Sequence, residues 1–150
     1  MFTKDYLHGP ETTRRVELEF GVLREAAAPS WLHQEAILRL GSLTDAHVRS
    51  RDLGRVCIAP VDVVLDDERA LIVQPDVVFV SNARLHLVRA QVWGAPDLVV
   101  EVLSPATARR DRSTTLGRYR RYGVREATDT ASSSAPAAPA PGRSARGRAA

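Results

Sequence analysis

Lysine is almost missing from this sequence: Lys4 is the only one, and the other twenty of the 21 basic residues are arginine. Beyond residue 4 there is therefore no side-chain ammonium, only guanidinium, which carries charge but cannot accept a proton near neutrality. Cysteine is equally scarce. With Cys57 alone no internal disulfide can form, no Cys or His stands at metal-ligand spacing from it, and a small buried apolar residue is its expected role. No run approaches the roughly 20 apolar residues of a membrane span, and the N-terminal MFTKDYLHGPETTRRVELEF lacks the apolar centre of a secretory signal. A soluble, cytoplasmic protein without a membrane partner is expected. The last absence is local. Residues 127–150, ATDTASSSAPAAPAPGRSARGRAA, contain no Val, Ile, Leu, Met, Phe, Tyr or Trp, so they are expected to be disordered for want of apolar surface to offset ordering entropy.

What is present fits one domain, residues 1–126, since 150 residues at 44% hydrophobic suffice for one core. Residues 127–150 hold three Arg against one Asp, so two of the three net positive charges lie there and the body is close to neutral. Alternation through Val16-Glu17-Leu18-Glu19-Phe20-Gly21-Val22 predicts a strand or hairpin with Glu17 and Glu19 most simply on a solvent face, from which either could approach a catalytic site. Ser30 can cap a helix that ends before Gly54 and carries Leu32, Ala36, Leu40, Leu43 and His47 at helical spacing, with Gly41 as a weak point. Two β-like runs, 55–59 and 61–65, are broken by Pro60. The second is expected to form an antiparallel hairpin with 70–80 across Asp66-Asp67-Glu68-Arg69. Residues 81–95 show little pattern. A strand over 97–104 precedes a basic helix from Thr107 to Tyr122, with Leu116 and Tyr119 facing inward. Gly123-Val124-Arg125-Glu126 leads towards a strand that the tail composition denies.

The chemistry lies in GAPDLVVEVLSP, residues 94–105. Glu101 is flanked by apolar residues on both sides, which implies a strand buried on both faces, and an unpaired buried carboxylate is costly. It needs an arginine, a raised pKa or a metal ion. Pro-Asp precedes an apolar strand twice, at Asp76 and at Asp97; for Asp97, turn punctuation is the simpler role. If the strand of Asp76 lies beside that of Glu101, their carboxylates can reach one hard divalent cation such as Mg²⁺, which accepts one or two carboxylates and leaves room for water and substrate phosphate. A plain Arg–Glu pair produces a similar pattern.

Pro75-Asp76 followed by Glu101 on an apolar strand resembles the PD-(D/E)xK nuclease superfamily. GAPDLVVEVLSPATARRDR, with Leu116, Tyr119 and Gly123-Val124 after it, is similar to the Uma-type putative restriction endonucleases of that superfamily. The similarity runs over about residues 14–126 and includes Gly21-Val22-Leu23, His33-Gln34 and Ala59-Pro60-Val61-Asp62-Val63-Val64-Leu65. It implies an α/β, restriction-endonuclease-like fold, a mixed β-sheet flanked by helices. It also implies Mg²⁺- (or Mn²⁺-) dependent hydrolysis of DNA, with Asp76, Glu101 and the Val102 carbonyl as metal ligands, and it leaves a homodimer open. The motif lysine is absent two residues after the glutamate, where Leu103 stands, and the position on the following helix to which it moves in this family is Thr115. The resemblance thus implies a catalytic set of Asp76, Glu101 and Thr115 with its positive charge missing, and full activity is not expected. Arg109, Arg110, Arg112 and Arg118 are the candidate phosphate contacts, and Arg112 or Arg118 could replace the lost charge electrostatically. His33 is expected at the helix cap or surface, with a place near the metal open. The competing expectation is a non-catalytic remnant that binds nucleic acid or a protein partner. The composition break after Glu126 is what truncation or a shifted reading frame would produce.

Overall fold

The computed structural model describes residues 1–10, 14–103 and 112–131, with residues 112–114 described by their backbone alone. Among the described residues, nine strands fall into two sheets. A short helix α1 (Thr3–Leu7) leads into β1 (Val16–Glu19) and β2 (Val22–Glu25), then α2 (Trp31–Ser50), β3 (Gly54–Ile58), β4 (Val63–Asp66), β5 (Leu71–Val73) and β6 (Val77–Ser81). A 3₁₀ segment (Asn82–Leu87), β7 (Val92–Trp93), β8 (Leu98–Leu103), α3 (Arg112–Arg121) and β9 (Glu126–Ala131) complete the order. One sheet has the order β2-β1-β5-β4-β7 and the other β3-β6-β8-β9, each mixing parallel and antiparallel pairs. Among the described residues no helix is long and apolar enough to cross a membrane.

The main core lies between the sheets. Val63, Leu71 and Val73 of the first sheet meet Val78, Val80, Val99 and Ala127 of the second, with Tyr119 of α3 packed among them. Each buried aliphatic side chain contributes about 1.5–3 kcal/mol of hydrophobic stabilisation. On the far side of the second sheet, Ile37 of α2 covers Val77, Val100 and Val102. Strand β8 is therefore buried on both faces, as its unbroken apolar run predicts. The first sheet's outer face packs Leu18, Val64 and Ile72 against Tyr6 and Leu7.

Several expectations change. Helix α2 begins where predicted, with Ser30 Oγ accepting the His33 N–H at 3.3 Å, but its buried face is His33, Ile37, Gly41 and Val48. Leu32 and Leu43 point outward, because the stripe that meets the sheet is displaced by one residue, about 100° around the helix, with Ala36 and Leu40 packed at its margin. Gly41 is a requirement of packing: a Cβ there would lie 2.6 Å from Ile58 Cγ2, so only glycine lets α2 approach β3 this closely. Cys57 is exposed on β3, an edge strand. The run 70–80 is two strands in different sheets, divided at Gln74-Pro75-Asp76, and the hairpin with 61–65 involves β5 alone. Residues 81–95 contain the 3₁₀ turn and β7.

A strand does follow Glu126. β9 runs parallel to β8 in the register Val99↔Ala127 and Glu101↔Asp129, and Ala127 is buried. Its backbone satisfies the open edge of β8, which outweighs a composition poor in strand formers. The boundary expected at residue 126 accordingly gives way to continued sheet through Ala131; the rest of the expected tail lies outside the described residues.

Candidate functional site

Asp76 and Glu101 are brought together by strand register. β6 and β8 pair antiparallel as Val77↔Val100 and Val78↔Val99, and one further step of the same register sets Asp76 opposite Glu101. Side chains alternate along strands, so both carboxylates share the inner face with Val78 and Val99 and point between the sheets. Pro75 ends the first sheet's run immediately before Asp76, which directs the chain into the second sheet.

The two acids are held differently. The Val102 N–H donates to Asp76 Oδ2 at 2.7 Å, and Arg15 Nη1 lies 2.7 Å from Asp76 Oδ1. That approach is not aligned as a hydrogen bond, and Asp76 Oδ1 is buried without one among the described residues. His33 Nε2 stands 3.5 Å from the same oxygen, and neither ring nitrogen of this buried histidine has a hydrogen-bond partner among the described residues. The expectation of a cap or surface role is thus overturned for His33. The first turn of α2 is turned inward here, so its ring faces Asp76 while its backbone N–H makes the cap bond.

Glu101 accepts a 2.5 Å hydrogen bond from the Tyr119 hydroxyl on α3. Its second oxygen lies 3.8 Å from Arg15 Nη2. Burial, and then the neighbouring Asp76 charge, push the Glu101 carboxyl up to about 8, against the opposing influence of Tyr119 and Arg15. The Tyr119 hydroxyl is in turn pushed well above its ordinary value by burial and by Glu101. Burial and an ionised Asp76 thus both disfavour the charge on Glu101.

A cleft of about 950 Å³ opens over this pair, and Arg15, Glu17, Glu19, Arg24, His33, Val102, Thr115, Arg118 and Asp129 are among its lining residues. Glu17 and Glu19 thus line the cleft and do not form a solvent face: Glu17 Oε1 accepts the Gln74 N–H at 2.8 Å, and Glu19 pairs with Arg24 at 3.2 Å and with Arg118. Of the predicted site residues, Asp76, Glu101, Val102, Thr115 and Arg118 converge here. Arg118 reaches it already paired. Arg109 and Arg110, and the side chain of Arg112, lie outside the described residues. Asp97 has a structural role: its Oδ2 accepts the Ser81 N–H at 2.8 Å, with Arg125 and Arg84 at 3.6 and 3.9 Å from Oδ1. Tyr119, read from the sequence as facing inward, proves to be the donor to Glu101, whereas the sequence does not single out Arg15. Arg15 shares a strand face with Glu17 and Glu19, so the sequence alone leaves it on a face read as solvated.

Two carboxylates from adjoining strands border the cleft, and one Asp76 oxygen has no aligned donor. Among the described residues no group of three or more His, Cys, Asp or Glu is arranged to hold a metal. A hard divalent cation held here would have to take these two carboxylates and complete its shell with water and phosphate, as Mg²⁺ can.

The fold is α/β, two mixed sheets with helices, and it is shared with a solved structure. The solved structures include a "putative nuclease belonging to DUF820" from Anabaena variabilis ATCC 29413, which superposes with a TM-score of 0.72 at 17% identity over 87% of this chain and 74% of that one. No curated protein matches. The Uma2 family model, described as "Putative restriction endonuclease", matches residues 3–128. The chain belongs to the Uma2 family.

Proposed function

We propose that the cleft is a divalent-metal-dependent DNA endonuclease site whose chemical step is impaired. The observation that carries this reading is the cross-strand pair of buried Asp76 and half-buried Glu101 beside a cleft in a member of this family. Asp76 and Glu101 would hold Mg²⁺ or Mn²⁺ with the Val102 carbonyl as a further ligand. A bound ion supplies Lewis-acid polarisation of the phosphodiester and offsets its developing charge. Tyr119 would orient Glu101 through its hydroxyl, and the carboxyl would have to be ionised to serve as a ligand. Val102 fixes Asp76 through its N–H. Thr115 faces the cleft where an ammonium would stabilise the phosphate, and a hydroxyl brings no charge. Arg109, Arg110, Arg112 and Arg118 are the proposed backbone contacts. Arg118 must first leave Glu19.

Thr115 and the Arg118–Glu19 pair together favour a second reading, a non-catalytic remnant that binds nucleic acid or a protein partner. Nicking of supercoiled DNA with Mg²⁺ or Mn²⁺ separates the two. The unmodified chain is expected to nick weakly or not at all, and Thr115→Lys to gain on the order of 10²–10³ in rate, the usual value of one such electrostatic group. The gain should vanish with Glu101→Ala. Robust cleavage by the unmodified chain refutes the impairment. A Thr115→Lys protein that binds metal and stays silent supports the remnant.

A further inference from the structure

We infer that Arg15 is the resident cation of the Asp76–Glu101 pair and competes with a divalent ion for it. This inference rests on the metal-site reading above. The Arg15 guanidinium spans both acids, 2.7 Å from Asp76 Oδ1 and 3.8 Å from Glu101 Oε2. It is anchored by a 2.6 Å hydrogen bond from Nη2 to the Gln74 carbonyl, and its side chain is only 23% exposed. The other cleft arginine paired with a described carboxylate at some distance along the chain, Arg118, goes to Glu19. Among the described arginines, Arg15 alone reaches both proposed ligands.

The geometry shows a cation that satisfies the pair incompletely. A guanidinium binds a carboxylate best through two parallel N–H···O bonds. Here its two terminal nitrogens are divided among three acceptors on different residues, and Asp76 Oδ1 receives charge without an aligned hydrogen bond. A divalent ion brings twice the charge and can take both carboxylates at ligand distance. The two cations cannot occupy the same space between the acids, so binding of one requires withdrawal of the other. Arg15 has a route out: it sits on the wall of the 950 Å³ cleft, and Gln74 holds it through only one carbonyl. Apparent metal affinity is then lowered by the fraction of molecules in which Arg15 is engaged. In the metal-free protein the same contact keeps Asp76 from being a buried charge without a partner.

The test is Mn²⁺ binding, followed by calorimetry and by the shift of melting temperature, with no DNA present. Arg15→Met should bind Mn²⁺ about tenfold or more tightly than the unmodified chain, as removal of a state populated at about 90% requires. Its melting temperature should be lower in EDTA and should recover more on metal addition. Arg118→Met, which removes the same charge from the same cleft without touching the pair, should change affinity by about twofold or less. Arg15→Gln, which keeps a donor for the Gln74 carbonyl, should follow Arg15→Met and serves if the methionine variant fails to fold. An unchanged or weaker affinity in the Arg15 variants overturns the competition, and so does an equal gain in Arg118→Met, which would reflect net charge alone. No Mn²⁺ binding by any of these proteins would instead overturn the metal-site reading on which the competition depends.

Discussion

Glu101 links stability to pH in an unusual direction. Its carboxyl is raised from 4.5 to about 8 in the folded protein, so between those values the folded state binds more protons than the unfolded chain. The associated stability is fully present below about pH 4.5 and is lost as pH rises through 8. In EDTA the melting temperature should therefore fall from pH 5 to pH 8, and Glu101→Gln should flatten the dependence. Tyr119→Phe removes a hydrogen bond that favours the ionised carboxylate, so it should carry the fall to higher pH. A profile in Tyr119→Phe identical to that of the unmodified chain would show that the 2.5 Å contact does not influence the titration. At this scale much of the site could be read from sequence. Asp76 and Glu101 stand out because a carboxylate in a two-sided apolar strand demands a partner. Arg15 does not, because an arginine ahead of an alternating strand looks solvated until the second sheet covers that face.

At the scale of elements, the capped helix, the first hairpin and the buried strand β8 followed from local chemistry. Ser30 accepts from His33, Phe20 and Gly21 adopt the positive φ of a tight hairpin turn, and β8 is apolar on both faces. β9 did not follow, since Glu-Ala-Thr-Asp-Thr-Ala has little strand propensity and its place is dictated by the edge of β8. The division of residues 70–80 between sheets was equally hidden, because an apolar run does not report which sheet each half joins. Burial supplies a test of β9. Ala127 lies in the main core and Thr128 is exposed. Ala127→Asp should cost more than about 3 kcal/mol by burying an unpaired charge, and Thr128→Asp no more than about 0.5 kcal/mol, as read by urea denaturation. Equal effects would argue that β9 does not pack as described.

For the molecule as a whole, the near-neutral body limits how DNA can be held. Two of the three net charges belong to residues 127–150, and Arg15, Arg24 and Arg118 of the cleft all face carboxylates of the same chain. With the four proposed arginine contacts as the upper number, the slope of log affinity against log salt should be no steeper than about −4, against about −5 to −9 for six to ten contacts. Fluorescence anisotropy across a salt series measures it, and a slope near −8 would reveal a basic surface beyond the cleft. The seam between the sheets bears on this site in a mechanical sense. Asp76 and Glu101 face each other along the β6–β8 ladder, whereas Arg15 stands just ahead of β1 and the Gln74 carbonyl that anchors it just after β5, at the edge of the other sheet. The contact between guanidinium and carboxylates therefore spans the seam and, unlike the spacing of the two acids, is not fixed by a ladder hydrogen bond.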